Sequence, residues 1–482
     1  MSEHLTAEEL RARAARGAAV LGTRGALIYT VGIGANLLLA SLLAPRDFGL
    51  FALGTVLLVF GVYVAQGGFG AALIRREETP SRLELEAVLG LQLGLTTLVT
   101  CLAFAGGAPF GRDGLVVATM VGSLPFTILR TPSVVVLEQR LRYREIATAD
   151  VIEAFVYYAW ACGAVLLGFG VWGLASGVVV RALAGSLAMT ALGPVGFVRP
   201  RWSWKTIQPI VGFGARFQAA EALSIAREQG LNLVVGAVAG LGTLGIWNLA
   251  WRVIQIPSLF FLTVGRVAFP AMSRLVGADR DARPVLERGA AVLAALTGVM
   301  VAGLVGASAA LPEIVGDAWT DVPATIFWSG IGFILASPIA FATRGYLFVR
   351  DQAGTIALGL VVSAAVWFGV AAAFLPELGA PAVGLGWVLA GMVNSAVLAR
   401  RTAQLSGATV AVRAAAPTAV ALTATSAAWF AAHQPSDPLL GGLLGFAVGE
   451  ACVLAGLVLV SRAALRETMG LLRSAARAPG TL

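Results

Sequence analysis

Charged side chains are scarce in this 482-residue chain: they make up 12% of it, whereas hydrophobic residues make up 58%. A soluble globular protein carries about twice that charged fraction. Polar linkers and low-complexity tracts are also lacking. Apolar runs of about 20 residues recur instead, the length at which a helix crosses ~30 Å of hydrocarbon. The composition therefore excludes a soluble enzyme or binding domain and indicates an integral membrane protein.

Cysteine and histidine are few as well. Cys101, Cys162 and Cys452 all lie within apolar runs, and we expect them to be small core residues without disulfide or metal-binding roles. His4 and His433 lie far apart in sequence and outside the apolar runs. We therefore expect no metal site and no cofactor.

Motifs for chemistry or energy coupling are missing too. The phosphate-binding pattern G-x-x-x-x-G-K-[ST] does not occur, and the single lysine, Lys205, lies in a predicted loop. The predicted external loops reach about a dozen residues, which is short for a membrane enzyme that must build a catalytic face. We therefore expect a carrier that is not an enzyme.

The apolar runs predict ~14 transmembrane helices in an all-α polytopic protein. Arginines concentrate in alternate connections, whereas acidic residues dominate the others, so both termini are predicted to face the cytoplasm. The net charge of +8 follows from this topology and does not indicate a nucleic-acid partner. The runs are residues 19–43, 49–74, 84–106, 114–137, 149–168, 171–197, 209–239, 244–272, 289–311, 322–346, 353–375, 381–399, 413–432 and 438–461.

A short internal repeat indicates a duplicated six-helix unit. Residues 43–53 read LAPRDFGLFAL and residues 239–249 read AGLGTLGIWNL, and at one offset Gly49 matches Gly245. Each segment joins the first predicted helix of a unit to the second. Repeats of this kind are typical of transporters with a site near the bilayer midplane. The predicted division is an amphipathic segment at 1–18, an N-lobe at 19–198, a cytoplasmic linker at 199–208, a C-lobe at 209–402, helices 13 and 14 at 413–461, and a cytoplasmic tail at 462–482.

Polar residues inside the predicted helices 7 and 8 indicate a hydrated cavity, because a charge at the bilayer centre costs ~2.5–3.5 kcal/mol. At 100° per residue, the polar residues of each helix share one face. Helix 7 presents Glu221, Ser224 and Glu228, flanked by Arg216, Gln218, Arg227 and Gln229; helix 8 presents Asn248, Arg252, Gln255, Thr263 and Arg266.

Arginines outnumber carboxylates in this predicted cavity, and guanidinium groups suit phosphate, so we expect an anionic cargo. The alternative for Arg227 and Arg252 is an ion pair with Glu221 or Glu228 that only holds helices together. For Arg24, snorkelling to the membrane surface is the alternative. The predicted substrate-binding residues are Arg24, Arg216, Arg227, Arg252, Arg266, Asn248 and Gln255; Arg181 and Glu450 are further candidates, and Arg130 and Arg344 lie near enough to helix ends to snorkel.

Two stretches carry a family resemblance. Residues 38–78, which begin LLASLLAPRDFGLFALGTVLL, resemble the helix 1–2 region of Wzx-type polysaccharide flippases, in the superfamily that includes the MATE exporters. Residues 231–275, which include AGLGTLGIWNLAWRVIQIP, are similar to the matching helix 7–8 region. The resemblance implies two six-helix lobes arranged in a V, with two extra C-terminal helices.

The resemblance also implies an activity. Such proteins move an undecaprenyl-pyrophosphate-linked oligosaccharide from the inner to the outer leaflet of the bacterial cytoplasmic membrane, for exopolysaccharide or lipopolysaccharide biosynthesis. Membrane lipids and a polysaccharide polymerase or co-polymerase are the implied partners. A related branch uses cavity arginines in helices 1 and 8, which Arg24 and Arg252 match by position. Where many relatives have an aspartate followed by a basic residue in helix 7, this chain has Arg227, Glu228 and Gln229. Coupling to H⁺ or Na⁺ through Glu221 or Glu228 therefore stays open.

Three other functions remain as alternatives. A MATE-type antiporter for cationic drugs or metabolites has the same fold, and resistance to cationic dyes would favour it. A membrane glycosyltransferase or polymerase is disfavoured by the short external loops, and sugar transfer by the purified protein would revive it. A membrane scaffold that transports nothing is disfavoured by the charged stripes.

Overall fold

The computed structural model describes residues 7–75, 78–258, 261, 272–273, 275–278 and 280–460. Side chains are described from Arg24 onward, except at 26, 211, 213–217, 219–221 and 223–224. Every regular element in these ranges is a helix, which confirms the predicted all-α class. The chain divides into two compact units, of which the first holds residues up to 43 and 47–233, and the second holds 44–46 and 234 onward.

The first unit is built from nine helices and the beginning of a tenth. Their bounds are α1 (Ala7–Leu42), α2 (Pro45–Gln66), α3 (Phe69–Ile74), α4 (Arg82–Gly107), α5 (Gly111–Val121), α6 (Leu124–Ile128), α7 (Thr131–Gln139), α8 (Tyr143–Leu166), α9 (Val171–Leu192) and α10 (Trp204–Ile254). A 3₁₀ turn at Ala108–Phe110 joins α4 to α5.

The second unit contains the end of α10 and seven further helices among the described residues. These are α11 (Arg283–Ser308), α12 (Leu311–Val315), α13 (Val322–Val349), α14 (Ala353–Leu378), α15 (Pro381–Ser406), α16 (Val410–Ala432) and α17 (Pro438–Val460). Within this unit α13 packs on α15, α14 packs on α15, and α11 packs on both α16 and α17.

Local sequence signals explain where several helices begin and end. At α4, the Ser81 hydroxyl accepts a hydrogen bond from the Glu84 backbone N–H, and the Glu84 carboxylate accepts one from the Ser81 N–H, which is a capping box. Proline is the first residue of α2, α15 and α17, where its missing N–H costs nothing. Gly67 and Gly68, with φ of 53° and 68°, end α2 before α3 begins.

Eleven described segments are long and apolar enough to span a membrane, so the predicted count of 14 is not confirmed. Two predicted helices, 84–106 and 114–137, fall largely within one 47-residue segment, Arg82–Ile128. A straight helix of that length would measure about 70 Å at ~1.5 Å per residue, far more than the hydrocarbon thickness. The chain instead turns back, and a Cβ on Gly107 would lie 2.6 Å from the Gly114 carbonyl oxygen.

Two other differences reduce the count, one by merging and one by length. The predicted helices 7 and 8 share the segment Ile225–Ser258, and α10 is non-helical at Gly240, inside the connection predicted at 239–244. The first predicted helix lies on the shorter apolar helix Leu27–Leu42. A count based on span length and composition thus takes two helices as one segment where only a tight glycine turn separates them. The chain is a multi-pass membrane protein.

Glycines bring helices of the second unit into close contact, as their spacing in α17 predicts. The backbones of Gly306 on α11 and Gly445 on α17 touch, so that a Cβ on either glycine would overlap the other helix. A Cβ on Gly449 would lie 2.9 Å from the Ala428 Cβ and 3.1 Å from the Ala302 carbonyl oxygen. Gly306, Gly445 and Gly449 therefore cannot carry a side chain unless the helices move apart.

We predict that Gly306→Ala lowers the free energy of unfolding by about 1–3 kcal/mol, because the added methyl forces two backbones apart. Chemical unfolding in detergent micelles would measure the change. Gly369→Ala on α14 is the matched control, since a Cβ there meets nothing within 4 Å. Equal destabilisation by both substitutions would contradict the packing argument.

Candidate functional site

A cavity of about 380 Å³ lies within the first unit. It is lined by α2, α8, α9, α10 and the segment that runs from Ser123 through α6 to Arg130. Apolar groups from α2 and α9 form much of its wall. Its polar lining residues are Thr55, Tyr63, Gln66, Ser123, Thr127, Arg130, Glu153 and Arg181.

Five charged side chains form one connected network, of which Arg130, Glu153 and Arg181 line the cavity. Arg130 Nη1 lies 2.7 Å from Glu153 Oε2 and 3.3 Å from Asp150 Oδ1. Arg181 Nε lies 2.6 Å from Glu153 Oε1, and Arg24 Nη2 lies 2.9 Å from Asp150 Oδ2. The carboxylate side chains are only 11–12% exposed, whereas the arginine side chains are 31–53% exposed. We call these five residues the charge network.

Helix geometry and one glycine position the network. Asp150 and Glu153 are three residues apart on α8 and therefore share a face. On α9, Arg181 and Gly185 are four residues apart, and a Cβ on Gly185 would overlap Glu153 Oε2. The guanidinium of Arg181 also lies over the Tyr157 ring, 5.9 Å from its centroid, in a cation–π arrangement. The packing of α8 against α9 thus places the Glu153 side chain beside Arg181.

The network has more donors than acceptors. Within the charge network, three guanidinium groups and two carboxylates give a formal charge of +1, and each of the four carboxylate oxygens already faces an arginine. A third carboxylate, Glu138, lies close enough to interact electrostatically with Arg130 and Asp150. A guanidinium carries five N–H donors, so most of the donors are not used by these contacts. Arg24 Nε is buried and has no hydrogen-bond partner among the described residues. Such a site suits a further anion.

A reciprocal pair of hydrogen bonds ties α2 to α10 beside the cavity. The Tyr63 hydroxyl donates to the Gln218 carbonyl, and the Gln218 side-chain amide donates to the Tyr63 carbonyl. Tyr63 also lines the cavity. The first part of α10 is therefore anchored to the wall of the site.

The structure brings one predicted binding residue, Arg24, into the charge network. Arg227 Nη2 lies 3.8 Å from Glu228 Oε1, and the Glu228 side chain is 59% exposed. This contact joins neighbours on α10 and does not connect two helices. Neither of these α10 residues lines the cavity.

The predicted residues of helix 8 lie in the second unit. Asn248 Nδ2 donates to the Leu244 carbonyl of its own helix at 3.3 Å. Arg252 and Gln255 follow on α10 and its C-terminal end, and both are partly buried. The side chains of Arg216 and Glu221 and the whole of Arg266 lie outside the described residues.

The predicted binding residues do not include Asp150 or Glu153, and the prediction has Arg181 only as a further candidate and Arg130 as a residue near enough to a helix end to snorkel. A signal was present, since two carboxylates three residues apart stand in an apolar run that is predicted to cross the membrane. The partners Arg130 and Arg181 come from other helices. Their convergence on Glu153 requires the tertiary fold.

Charged residues that face a cavity inside a membrane protein are typical of transporters. Comparison with known proteins is consistent with that class. The family model described as polysaccharide biosynthesis protein matches residues 38–324, which is more than half of the chain. The chain belongs to this family, as the resemblance predicted.

Two curated relatives carry names of the same kind. The succinoglycan biosynthesis transport protein ExoT of Rhizobium meliloti (strain 1021) is 26% identical over 66% of this chain and 63% of its own length. The lipopolysaccharide biosynthesis protein WzxC of Escherichia coli (strain K12) is 23% identical over 65% of this chain and 65% of its own length. In both cases the matched part is less than two thirds of the relative.

A solved structure shares the fold. The lipid II flippase MurJ in an inward closed conformation superposes with a TM-score of 0.71, covering 92% of this chain and 99% of that one. The sequence identity is 12%, so this likeness shows the fold alone.

We predict that Arg130 and Glu153 are energetically coupled. A double-mutant cycle with Arg130→Gln and Glu153→Gln should give a coupling of about 1–3 kcal/mol in the free energy of unfolding, because the carboxylate is poorly solvated. The exposed pair Arg283–Asp281, whose side chains are 56% and 49% exposed, is the control and should give ~0.5 kcal/mol or less. Similar coupling in both cycles would show that burial adds nothing to the network.

Proposed function

We propose that this protein is a flippase that moves an undecaprenyl-pyrophosphate-linked oligosaccharide repeat unit from the inner to the outer leaflet of the bacterial cytoplasmic membrane. The cargo would then enter exopolysaccharide or lipopolysaccharide biosynthesis. One observation carries the proposal: a cavity with an excess of arginine lies inside a member of the polysaccharide biosynthesis protein family. The proposed mechanism is transport without catalysis.

The cavity chemistry suits both polar parts of such a cargo. Arg24, Arg130 and Arg181 offer forked donors to phosphate oxygens, which a lysine would not. The other lining residues supply hydroxyl and amide groups, which suit a sugar; these are Thr55, Tyr63, Gln66, Ser123 and Thr127. The lipid tail would stay in the bilayer while the head group enters the protein.

The membrane potential favours this direction of transport. With both termini in the cytoplasm, as the arginine distribution indicates, the cargo starts on the negative side of the membrane. Outward movement of an anion then gains ~2.3 kcal/mol per charge per 100 mV. Ion coupling through Glu221 or Glu228 remains a proposal, as does association with a polymerase or co-polymerase.

Residues of the second unit have a proposed role in the same transport. Asn248, Arg252 and Gln255 follow each other at helical spacing on α10 and its end, so they share a face. We keep them, together with Arg216, Arg227 and Arg266, as proposed contacts to the cargo.

Deletion of the gene in its native host tests the function. We expect a complete undecaprenyl-linked repeat unit to accumulate in lipid extracts analysed by mass spectrometry, with loss of surface polysaccharide. Re-expression of the wild type should reverse both changes. Unchanged lipid-linked sugars in a host without a second flippase would contradict the proposal, and efflux of cationic dyes would then test the MATE-type alternative.

Single-residue variants can be compared by how much export each restores to the deletion strain. We expect Arg130→Ala and Arg252→Ala each to restore less than about a tenth of the export, since each removes a guanidinium from a proposed cargo contact. Arg82→Ala, whose side chain is 68% exposed and outside the cavity, should restore it fully. Membrane levels of each variant must match the wild type. Full export by Arg252→Ala would remove that residue from the site.

A further inference from the structure

The carboxylates of the charge network make contacts with arginine of the kind that phosphate oxygens also make. Glu153 Oε1 faces Arg181 and its Oε2 faces Arg130. Asp150 Oδ1 faces Arg130 and its Oδ2 faces Arg24. A phosphate group presents the same type of acceptor to the same type of donor. The two carboxylates therefore occupy arginine donors that an anionic cargo needs.

Ion pairs with Asp150 and Glu153 lower the energetic cost of keeping the arginines inside the membrane when no cargo is bound. A guanidinium left without a counter-charge in a poorly solvated site is strongly unfavourable. Asp150 and Glu153 together neutralise two of the three positive charges. When a phosphate replaces a carboxylate as the partner of an arginine, the arginine exchanges one anion for another, and no uncompensated cation is exposed.

Burial shows which groups move in such an exchange. The residue Glu153 is 8% exposed, and its carboxylate is packed against Gly185. The Arg181 and Arg24 side chains are 53% and 35% exposed and have long flexible stems. The Glu153 carboxylate therefore has little room to move, whereas the Arg181 and Arg24 guanidinium groups have room to turn between a carboxylate and an arriving phosphate.

We propose that Asp150 and Glu153 are internal counter-anions that compete with the phosphate groups of the cargo for Arg24, Arg130 and Arg181. The competition sets how tightly the cargo is held and how readily it leaves. The identity of the anion rests on the proposed flippase function. The competition itself can be tested without any transport.

The test is binding of inorganic pyrophosphate to the purified full-length protein in phosphatidylcholine nanodiscs, measured by calorimetry and by the shift in thermal unfolding. Glu153→Gln keeps the shape of the side chain and removes its charge. We expect it to bind pyrophosphate about tenfold more tightly than the wild type, because a competing acceptor and a repulsive charge are both lost. Asp150→Asn should change affinity in the same direction.

Two controls separate competition from general effects. Glu86→Gln removes an arginine-paired carboxylate from the same unit but outside the cavity, and it should leave the affinity unchanged. Glu153→Asp retains the charge and should bind with nearly wild-type affinity. The unfolding temperature without ligand shows whether each variant is folded.

The direction of the change in pyrophosphate affinity tests the proposal. If the carboxylates only orient the arginines, Glu153→Gln and Asp150→Asn will bind pyrophosphate more weakly than the wild type, and the proposal is overturned. It is also overturned if the folded wild type binds no pyrophosphate, or if phosphatidylglycerol added to the nanodiscs abolishes binding, which would assign the site to bulk lipid.

The deletion strain tests the proposed function, and the nanodisc measurement tests the counter-anion role, so each can fail without the other. Lipid-linked sugars that stay unchanged in the deletion strain count against the flippase, whatever the nanodiscs show. A deletion strain that accumulates them, together with weaker binding by the two neutral variants, retains the flippase and removes only the counter-anion role. A folded Glu153→Gln protein that binds more tightly but exports less than the wild type would support both.

Discussion

The contact between Glu153 and its two arginines is the constraint on which the site in the first unit depends. A carboxylate that is nearly buried in a membrane protein requires positive partners, and here they come from α9 and from the residue that precedes α7. Those partners fix how α7, α8 and α9 pack around the cavity. Asp150, one turn earlier on α8, extends the same arrangement to Arg24 on α1. Four elements are thus joined through two side chains of a single helix.

Small residues make this arrangement possible. A charged group can lie between packed helices only where a neighbouring residue is small. On α9 the absence of a side chain on Gly185 leaves room for the Glu153 carboxylate. In the second unit glycine has two consequences. Contacts such as Gly306 with Gly445 bring backbones together, whereas the absence of a side chain on Gly303 leaves room for the Glu450 carboxylate on α17. Glycine therefore allows dense packing and also creates space for a charged group.

The sequence predicted the class of protein and much of its helix pattern, because hydropathy and span length act locally along the chain. The count of 14 was not confirmed, since turns as tight as those at Gly107 and Gly240 leave no polar loop to separate one apolar segment from the next. The charge network overlaps the predicted binding residues at Arg24. Asp150 and Glu153 were not predicted, because their partners lie on other helices. Periodicity within a helix cannot show which helix lies opposite.

The ratio of arginine to carboxylate matters more than the number of arginines. A cavity with arginine alone would hold a pyrophosphate tightly and would be costly to keep empty, whereas one with equal numbers of both charges would have little attraction for an anion. The five residues of the charge network sum to a formal charge of +1, with Glu138 close enough to Arg130 and Asp150 to reduce the positive potential further. Each guanidinium also keeps donors that the contacts among the described residues do not use. A carrier must both bind and release its cargo, and a small positive excess satisfies both requirements. Donor-rich guanidinium groups of low net charge also favour phosphate over a cationic drug, which links the charge network to the proposed cargo.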